Sequence, residues 1–244
     1  MKKVMLALLA VLFIATSALS QNNEIPLIGS KAPSFKAMST NGKMTFPDDF
    51  GDSWKILFSH PADFTPVCSS ELLELAYLQP EFEKLGVKFA IISTDNVAMH
   101  KLWIEYLENV DYKNRGKLHI DFPLIEDTKA TASKKYGMLH EPTSRSYDIR
   151  GVFIIDDKNI VRATNFYPMQ VGRNINEIVR LVEAFKKVES DLVYTPANWE
   201  KGDDVIVPYN PTSGNAQETD PKALQEYYKV GNRLWFKTGD SNKD

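Results

Sequence analysis

Covalent chemistry in this chain of 244 residues would most naturally fall to its single cysteine. Cys68 stands in the stretch His60-Pro61-Ala62-Asp63-Phe64-Thr65-Pro66-Val67-Cys68-Ser69-Ser70-Glu71-Leu72. Before that stretch, Trp54-Lys55-Ile56-Leu57-Phe58 reads as a buried strand. After the cysteine, Leu72, Leu75, Leu78, Phe82 and Leu85 recur at helical spacing. A strand therefore ends and a helix begins around Cys68. Thr65 suits the N-cap and Pro66 the first helical position. Cys68 then falls in the first turn, close to unpaired backbone N–H groups and the positive end of the helix dipole. A thiolate is favoured there, and the thiolate is the nucleophile. Glu71 reads as a first-turn acid that interacts with the same dipole.

Composition and the N-terminus decide how that thiol is read. The chain is 43% hydrophobic and 25% charged, which is globular, and at this length it needs no disulfides to stand. A net charge of -3 without a dense basic run argues against a nucleic-acid partner. Lys2-Lys3, the apolar run from Val4 to Ala15, and Ala18-Leu19-Ser20 before Gln21 predict a signal peptide over residues 1–20. The run is short for a membrane span, although an uncleaved anchor is the alternative reading. The protein is expected to be exported, periplasmic or secreted, with no stable membrane association after signal cleavage. One cysteine in an exported chain makes no internal disulfide, which leaves intermolecular pairing or reactivity. His100, His119 and His140 are dispersed, and no Cys/His cluster shows metal-ligand spacing, so no metal is expected.

The elements that must position the thiol follow in chain order. Thr40-Asn41-Gly42-Lys43 predicts a hairpin. The Cys68 helix carries Pro80, which should kink or split it, and ends at Gly86. Val87 to Ile92 is a second strand, and Asn96 caps a helix to about Asn109 with Met99, Trp103, Tyr106 and Val110 along one stripe. This order implies a parallel pair with a right-handed crossover. Phe122 to Ile125 is a short strand, and Thr128 to Tyr136 a short helix. Gly151 to Ile155 and Ile160 to Tyr167 flank a polar turn as an antiparallel hairpin, and a last amphipathic helix runs from Asn174 to about Val188. The expected class is α/β, a thioredoxin-like fold with helices on both faces of a mixed sheet over residues 24–190. Residues 191–244 form a C-terminal extension with a predicted helix at Pro221–Lys229. Its loosest stretch is Asn210 to Thr219. Its many aromatic residues suit an arm packed on the core or on a partner subunit.

Three stretches carry a family resemblance. The segment from His60 to Leu72 resembles the active-site loop of peroxiredoxins, with its Pro-x-x-x-Thr/Ser-x-x-Cys pattern. Arg150-Gly151-Val152-Phe153-Ile154-Ile155-Asp156 is similar to the strand that supplies the active-site arginine of that family. Thr195-Pro196-Ala197-Asn198-Trp199-Glu200-Lys201-Gly202-Asp203-Asp204-Val205 resembles the extended C-terminal domain of the one-cysteine subfamily. By this resemblance Cys68 corresponds to the peroxidatic cysteine, which becomes a sulfenic acid. Thr65 corresponds to the hydroxyl that bonds peroxide and thiolate, Pro61 to the residue that shields the sulfur, and Arg150 to the cation that stabilises it. Glu71 corresponds to the acid that orients the arginine, Arg173 to a second arginine near the site, and His60 to a histidine beside the cysteine. The resemblance implies reduction of hydrogen peroxide and organic hydroperoxides without metal, flavin or haem. With no second cysteine, an external thiol reductant must resolve the oxidised sulfur. A homodimer or a ring of dimers is the expected assembly.

Two other classes remain open on the residues alone. A thioredoxin-fold binding or chaperone module would carry the cysteine incidentally. A cysteine hydrolase would need an oxyanion hole and a histidine base at the sulfur, and His60 is the candidate near it in sequence.

Overall fold

A computed structural model of the chain describes residues 25–211 and 225–239. The signal-peptide expectation for residues 1–20 lies outside them, as does most of the stretch Asn210 to Thr219. The chain forms two compact units. The first comprises the described residues up to Leu73 and Val87–Gly172, and the second Glu74–Gly86 with the described residues from Arg173 onward.

The first unit is built on seven strands: β1 (Phe35–Ser39), β2 (Gly42–Phe46), β3 (Trp54–Ser59), β4 (Val87–Ser93), β5 (Leu124–Glu126), β6 (Arg150–Ile155) and β7 (Val161–Tyr167). They lie in the order β2-β1-β5-β4-β3-β6-β7. β3 pairs parallel with β4, and β4 with β5, because helical crossovers connect them. β1–β2 and β6–β7 are the expected antiparallel hairpins. Gly42 opens β2 at φ +102°, a conformation that side chains with a Cβ rarely adopt. β3 and β6 are buried along their whole length, as apolar central strands should be. The one cation in β3, Lys55, threads its Nζ to the Gly51 carbonyl at 2.9 Å and to Asn159 Oδ1. Phe35, Phe46, Leu57, Ile92, Tyr136 and Phe153 form the centre of the core. The Tyr136 ring stands edge-on to Phe153 at 4.9 Å, and its hydroxyl donates to the Pro33 carbonyl at 2.8 Å.

Helix α1 spans Pro66–Lys84, its residues to Leu73 belonging to the first unit and the rest to the second. Pro80 lies inside it and does not split it; one missing N–H is tolerated. α2 (Val97–Glu108) starts at Asn96, whose Oδ1 accepts from Met99 N at 3.0 Å. Its buried face is His100, Trp103 and Leu107; of the expected stripe Trp103 is buried, whereas Met99 and Tyr106 are exposed. His100 and Leu107 take the inner places expected of Met99 and Tyr106, because a histidine on the inner face breaks the apolar pattern. α3 (Thr131–Lys135) is shorter than expected.

Asp148, two residues before Arg150, is fully buried, and neither of its carboxyl oxygens has a hydrogen-bond partner among the described residues. Burial pushes its carboxyl up to about 8, against a lowering contribution from Ser133 and with a further upward push from the charge of Asp127. The folded state therefore holds a proton that the unfolded chain releases near pH 4. The sign follows: stability contributed at low pH is lost as pH rises from about 4 to about 8, then levels off. Asp148→Asn should raise the unfolding free energy at pH 8 by a few kcal/mol, with a higher denaturation midpoint, and flatten the stability–pH profile over that window. Equal midpoints for the two proteins at pH 8 would show the carboxyl to be no burden.

The second unit contains α4 (Ile175–Asp191), capped by Asn174 Oδ1 accepting from Glu177 N at 3.3 Å. A three-stranded antiparallel sheet follows, β8 (Val205–Val207), β9 (Tyr227–Val230) and β10 (Leu234–Lys237), in the order β8-β10-β9. Ala184, Val193, Trp199, Val205 and Val207 form its core, with Tyr227 and Trp235 packed against them. The helix expected over Pro221–Lys229 is not found where the chain is described; from Tyr227 on it is strand. Adjacent aromatic residues satisfy their backbone by pairing with β10, a gain that no local spacing reveals.

Candidate active site

Cys68 is in the first turn of α1, as its local sequence requires, and is fully buried. Ser69 N donates to the Thr65 carbonyl at 2.9 Å, so Thr65 occupies the cap position. Its hydroxyl, however, donates to the Ala62 carbonyl at 2.9 Å and bonds neither the helix nor the sulfur. Donation to Ala62 commits the hydroxyl proton and leaves its lone pairs to accept. Phe64, immediately before it, has φ +57° and an exposed ring, a left-handed turn that costs about 1–2 kcal/mol for a side chain of this type. Pro61 is buried in the same loop.

Arg150 starts β6, and antiparallel pairing of Val152 with Phe58 brings that start to the end of β3, where the Cys68 loop begins. Ser59 locks the junction: its hydroxyl donates to the Ile149 carbonyl at 2.7 Å and accepts from Gly151 N at 2.8 Å. A Cβ on Gly151 would come within 3.0 Å of that hydroxyl, so the close approach requires glycine. The guanidinium of Arg150 then reaches the sulfur. Nη1 donates to Cys68 Sγ at 3.3 Å and to Glu71 Oε2 at 2.6 Å, while Nε and Nη2 donate to the Met169 carbonyl at 2.9 and 2.6 Å. Arg150 and Glu71 are each 2% exposed, so neither charge is screened by water. Such a cation, oriented on three sides, stabilises negative charge on the sulfur or on an oxygen leaving from it.

No histidine nitrogen bonds Cys68 Sγ among the described residues, which removes the base that a cysteine hydrolase needs. His60 lies instead in a buried network that sequence spacing did not reveal. Its Nε2 meets Asp63 Oδ1 at 2.9 Å, and Asp63 Oδ2 meets His100 Nδ1 at 2.8 Å. His100, read as dispersed, is therefore a partner of the active-site loop. The signal for it was its place three residues before Trp103 on the inner face of α2. His119 is exposed and pairs with Glu108 and Asp121. His60, Asp63 and Asp95 do bring possible metal-ligand atoms within 4.8 Å of one another, contrary to the expectation from spacing. Asp95 Oδ2 already accepts from Asp63 N at 2.9 Å and Ser93 Oγ at 3.0 Å, and both Asp63 oxygens are engaged by the histidines. The group works as a hydrogen-bond network. Arg173 is buried and opens the second unit.

Comparison with known proteins agrees with this geometry. A model described as the AhpC/TSA family matches residues 28–164, and one described as the C-terminal domain of 1-Cys peroxiredoxin matches residues 184–227. A peroxiredoxin of Methanosarcina mazei is 46% identical over 185 residues, spanning 75% of this chain and 84% of that protein. One of Aquifex aeolicus is 40% identical over 222 residues, spanning 87% and 95%. Among solved structures, yeast mitochondrial 1-Cys peroxiredoxin superposes with a TM-score of 0.72 at 35% identity, covering 87% of this chain and 99% of that one. That protein is described as resolving its thiol through glutathione and thioredoxin systems. A cysteine mutant of Peroxiredoxin 6 of Arenicola marina gives 0.73 at 32% identity, covering 87% and 98%. These neighbours share the thioredoxin-like fold with a C-terminal extension.

Proposed function

Because this chain belongs to the peroxiredoxin family and is thereby a thiol-dependent peroxidase, we propose that Cys68 is the sulfur that peroxide oxidises and that an external thiol restores it. The observation that carries this reading is the 3.3 Å hydrogen bond from a buried guanidinium to the one thiol in the chain. The thiolate attacks the terminal peroxide oxygen, the O–O bond breaks, and the departing oxygen leaves as an alcohol or water after taking a proton. The sulfur is left as a sulfenic acid. An outside thiol condenses with it, releasing water and forming a mixed disulfide, and a second thiol exchanges with that disulfide.

The supporting roles are assigned on the same basis. Arg150 stabilises charge at the sulfur and the leaving oxygen, and Glu71 holds Arg150 in register. Thr65 accepts a hydrogen bond from the peroxide, Pro61 excludes water, and His60 supports the loop that carries the cysteine. The substrates are hydrogen peroxide and organic hydroperoxides. The residue pattern of 1–20 supports export to the periplasm or the medium, and recovery of the uncleaved chain from the cytoplasm alone would overturn it. The aromatic C-terminal unit supports a homodimer or ring of dimers; a clean monomer at micromolar concentration in sedimentation would exclude both.

Mass spectrometry tests the central step. One equivalent of hydrogen peroxide should add one oxygen to Cys68, and a monothiol such as glutathione should convert that species to a mixed disulfide and then to the free thiol. Oxygen found on methionines while Cys68 stays reduced would refute the assignment.

A further inference from the structure

Two peptide groups flank the Cα of Arg150: the carbonyl of Ile149 before it and the N–H of Gly151 after it. Both bond the same atom, Ser59 Oγ. The hydroxyl donates to the Ile149 carbonyl at 2.7 Å and accepts from Gly151 N at 2.8 Å. Gly151 N also meets the Ile149 carbonyl at 3.0 Å, which closes a three-residue turn with Arg150 at its centre. Ser59 is fully buried, so water does not compete for either bond. The sheet shows why a side chain serves here. On one edge β6 is paired from its first residue, with Arg150 opposite Tyr167 of β7. On the other edge its ladder with β3 ends at Phe58 opposite Val152. One step further the main chain of β3 turns away into the Cys68 loop. The Ser59 side chain takes the place of the missing rung, and so ties the start of that loop to the backbone on both sides of Arg150.

A bond at this point acts at the far end of a long side chain. The two peptide planes set φ and ψ of Arg150, and with them the direction in which its side chain leaves the strand. At the other end the guanidinium donates to Cys68 Sγ at 3.3 Å. A small rotation of the backbone is magnified over that reach. Reacting groups must be held within about 0.5 Å of the productive geometry, and a misplacement of about 1 Å can cost a hundredfold in rate. We propose that Ser59 is a positioning residue for peroxide reduction: its hydroxyl fixes the backbone on both sides of Arg150 and so aims the guanidinium at Cys68. The proposal rests on Cys68 being the oxidised sulfur and adds the residue that holds its cation in line.

Variants of the full chain test it. In Ser59→Ala, oxidation of Cys68 by hydrogen peroxide should slow by about tenfold to a hundredfold. Alanine is smaller than serine, and Gly151 N keeps its bond to the Ile149 carbonyl, so the variant should fold; the denaturation midpoint checks this. The Nε–H of Arg150, bonded to the Met169 carbonyl at 2.9 Å, should exchange with solvent faster in the variant, as read by side-chain 15N NMR. A double-mutant cycle separates aiming from mere support. Arg150→Met leaves no guanidinium to aim, so adding Ser59→Ala to it should slow oxidation by less than about twofold more. Gly151→Ala probes the same bond from the other side, because its Cβ would come within 3.0 Å of the Ser59 hydroxyl, and it should slow oxidation too. Oxidation at the wild-type rate in both single variants would overturn the proposal. A full further loss on adding Ser59→Ala to Arg150→Met would also overturn it, leaving Ser59 a support of the fold. Wild-type Cys68 inert to peroxide would instead sink the underlying assignment of the sulfur.

Discussion

Cys68→Ser is expected to lower peroxide consumption to background, a loss of about a thousandfold or more. Serine differs from cysteine at one atom, and that atom is fully buried beside Arg150. The hydroxyl is nearly isosteric and can accept from Arg150 Nη1 as the sulfur does, so the fold should survive and the loss is chemical. A hydroxyl is far harder to ionise than a thiol, and oxygen is a poor nucleophile toward an O–O bond. Nothing nearby replaces it, since no second cysteine exists in the chain. A thiol-coupled assay of hydrogen peroxide removal, with the denaturation midpoint as a control, decides the matter. Turnover equal to wild type would remove Cys68 from the chemistry altogether.

Arg150→Met should cost both rate and stability, by separable amounts. Removing a preoriented donor at developing charge lowers rates by roughly a hundredfold to a thousandfold. The same change takes from Glu71 the cation at 2.6 Å, in a place where both groups are 2% exposed. Breaking a buried pair from one side typically destabilises by about 3–5 kcal/mol, because the remaining charge stays desolvated. Adding Glu71→Gln removes that charge. The double variant should therefore regain much of the lost stability while peroxide turnover stays low. Arg150→Lys keeps a charge but cannot bond Sγ, Glu71 and the Met169 carbonyl from one rigid plane, and should fall between wild type and Met. Recovery of turnover in the double variant would mean that Arg150 serves only the fold.

The site divides between what neighbours along the chain can specify and what they cannot. An apolar strand, a proline at the first helical position and helical spacing after it placed Cys68 in a first turn, because those signals act over a few residues. Thr65 shows the limit of such signals: its position in the cap was legible, but its hydroxyl turned back to Ala62 rather than into the helix. Glu71 reads as a first-turn acid but lies beyond the first turn of α1, and nothing local pairs it with an arginine 79 residues away.

The composition and spacing of this chain were sufficient to determine a lone reactive thiol at a strand–helix junction and an α/β order of elements, and the family motifs pointed to peroxide chemistry. Only the tertiary structure decided that Arg150 donates to that thiol across 82 residues, that Asp63 joins His60 to His100, and that the chain from Tyr227 forms a strand. The physical reason is range. Caps, turns and helical faces are settled by atoms a turn apart. Electrostatic and hydrogen-bonded partners are chosen by sheet register and helix packing, which join residues that the sequence keeps far apart.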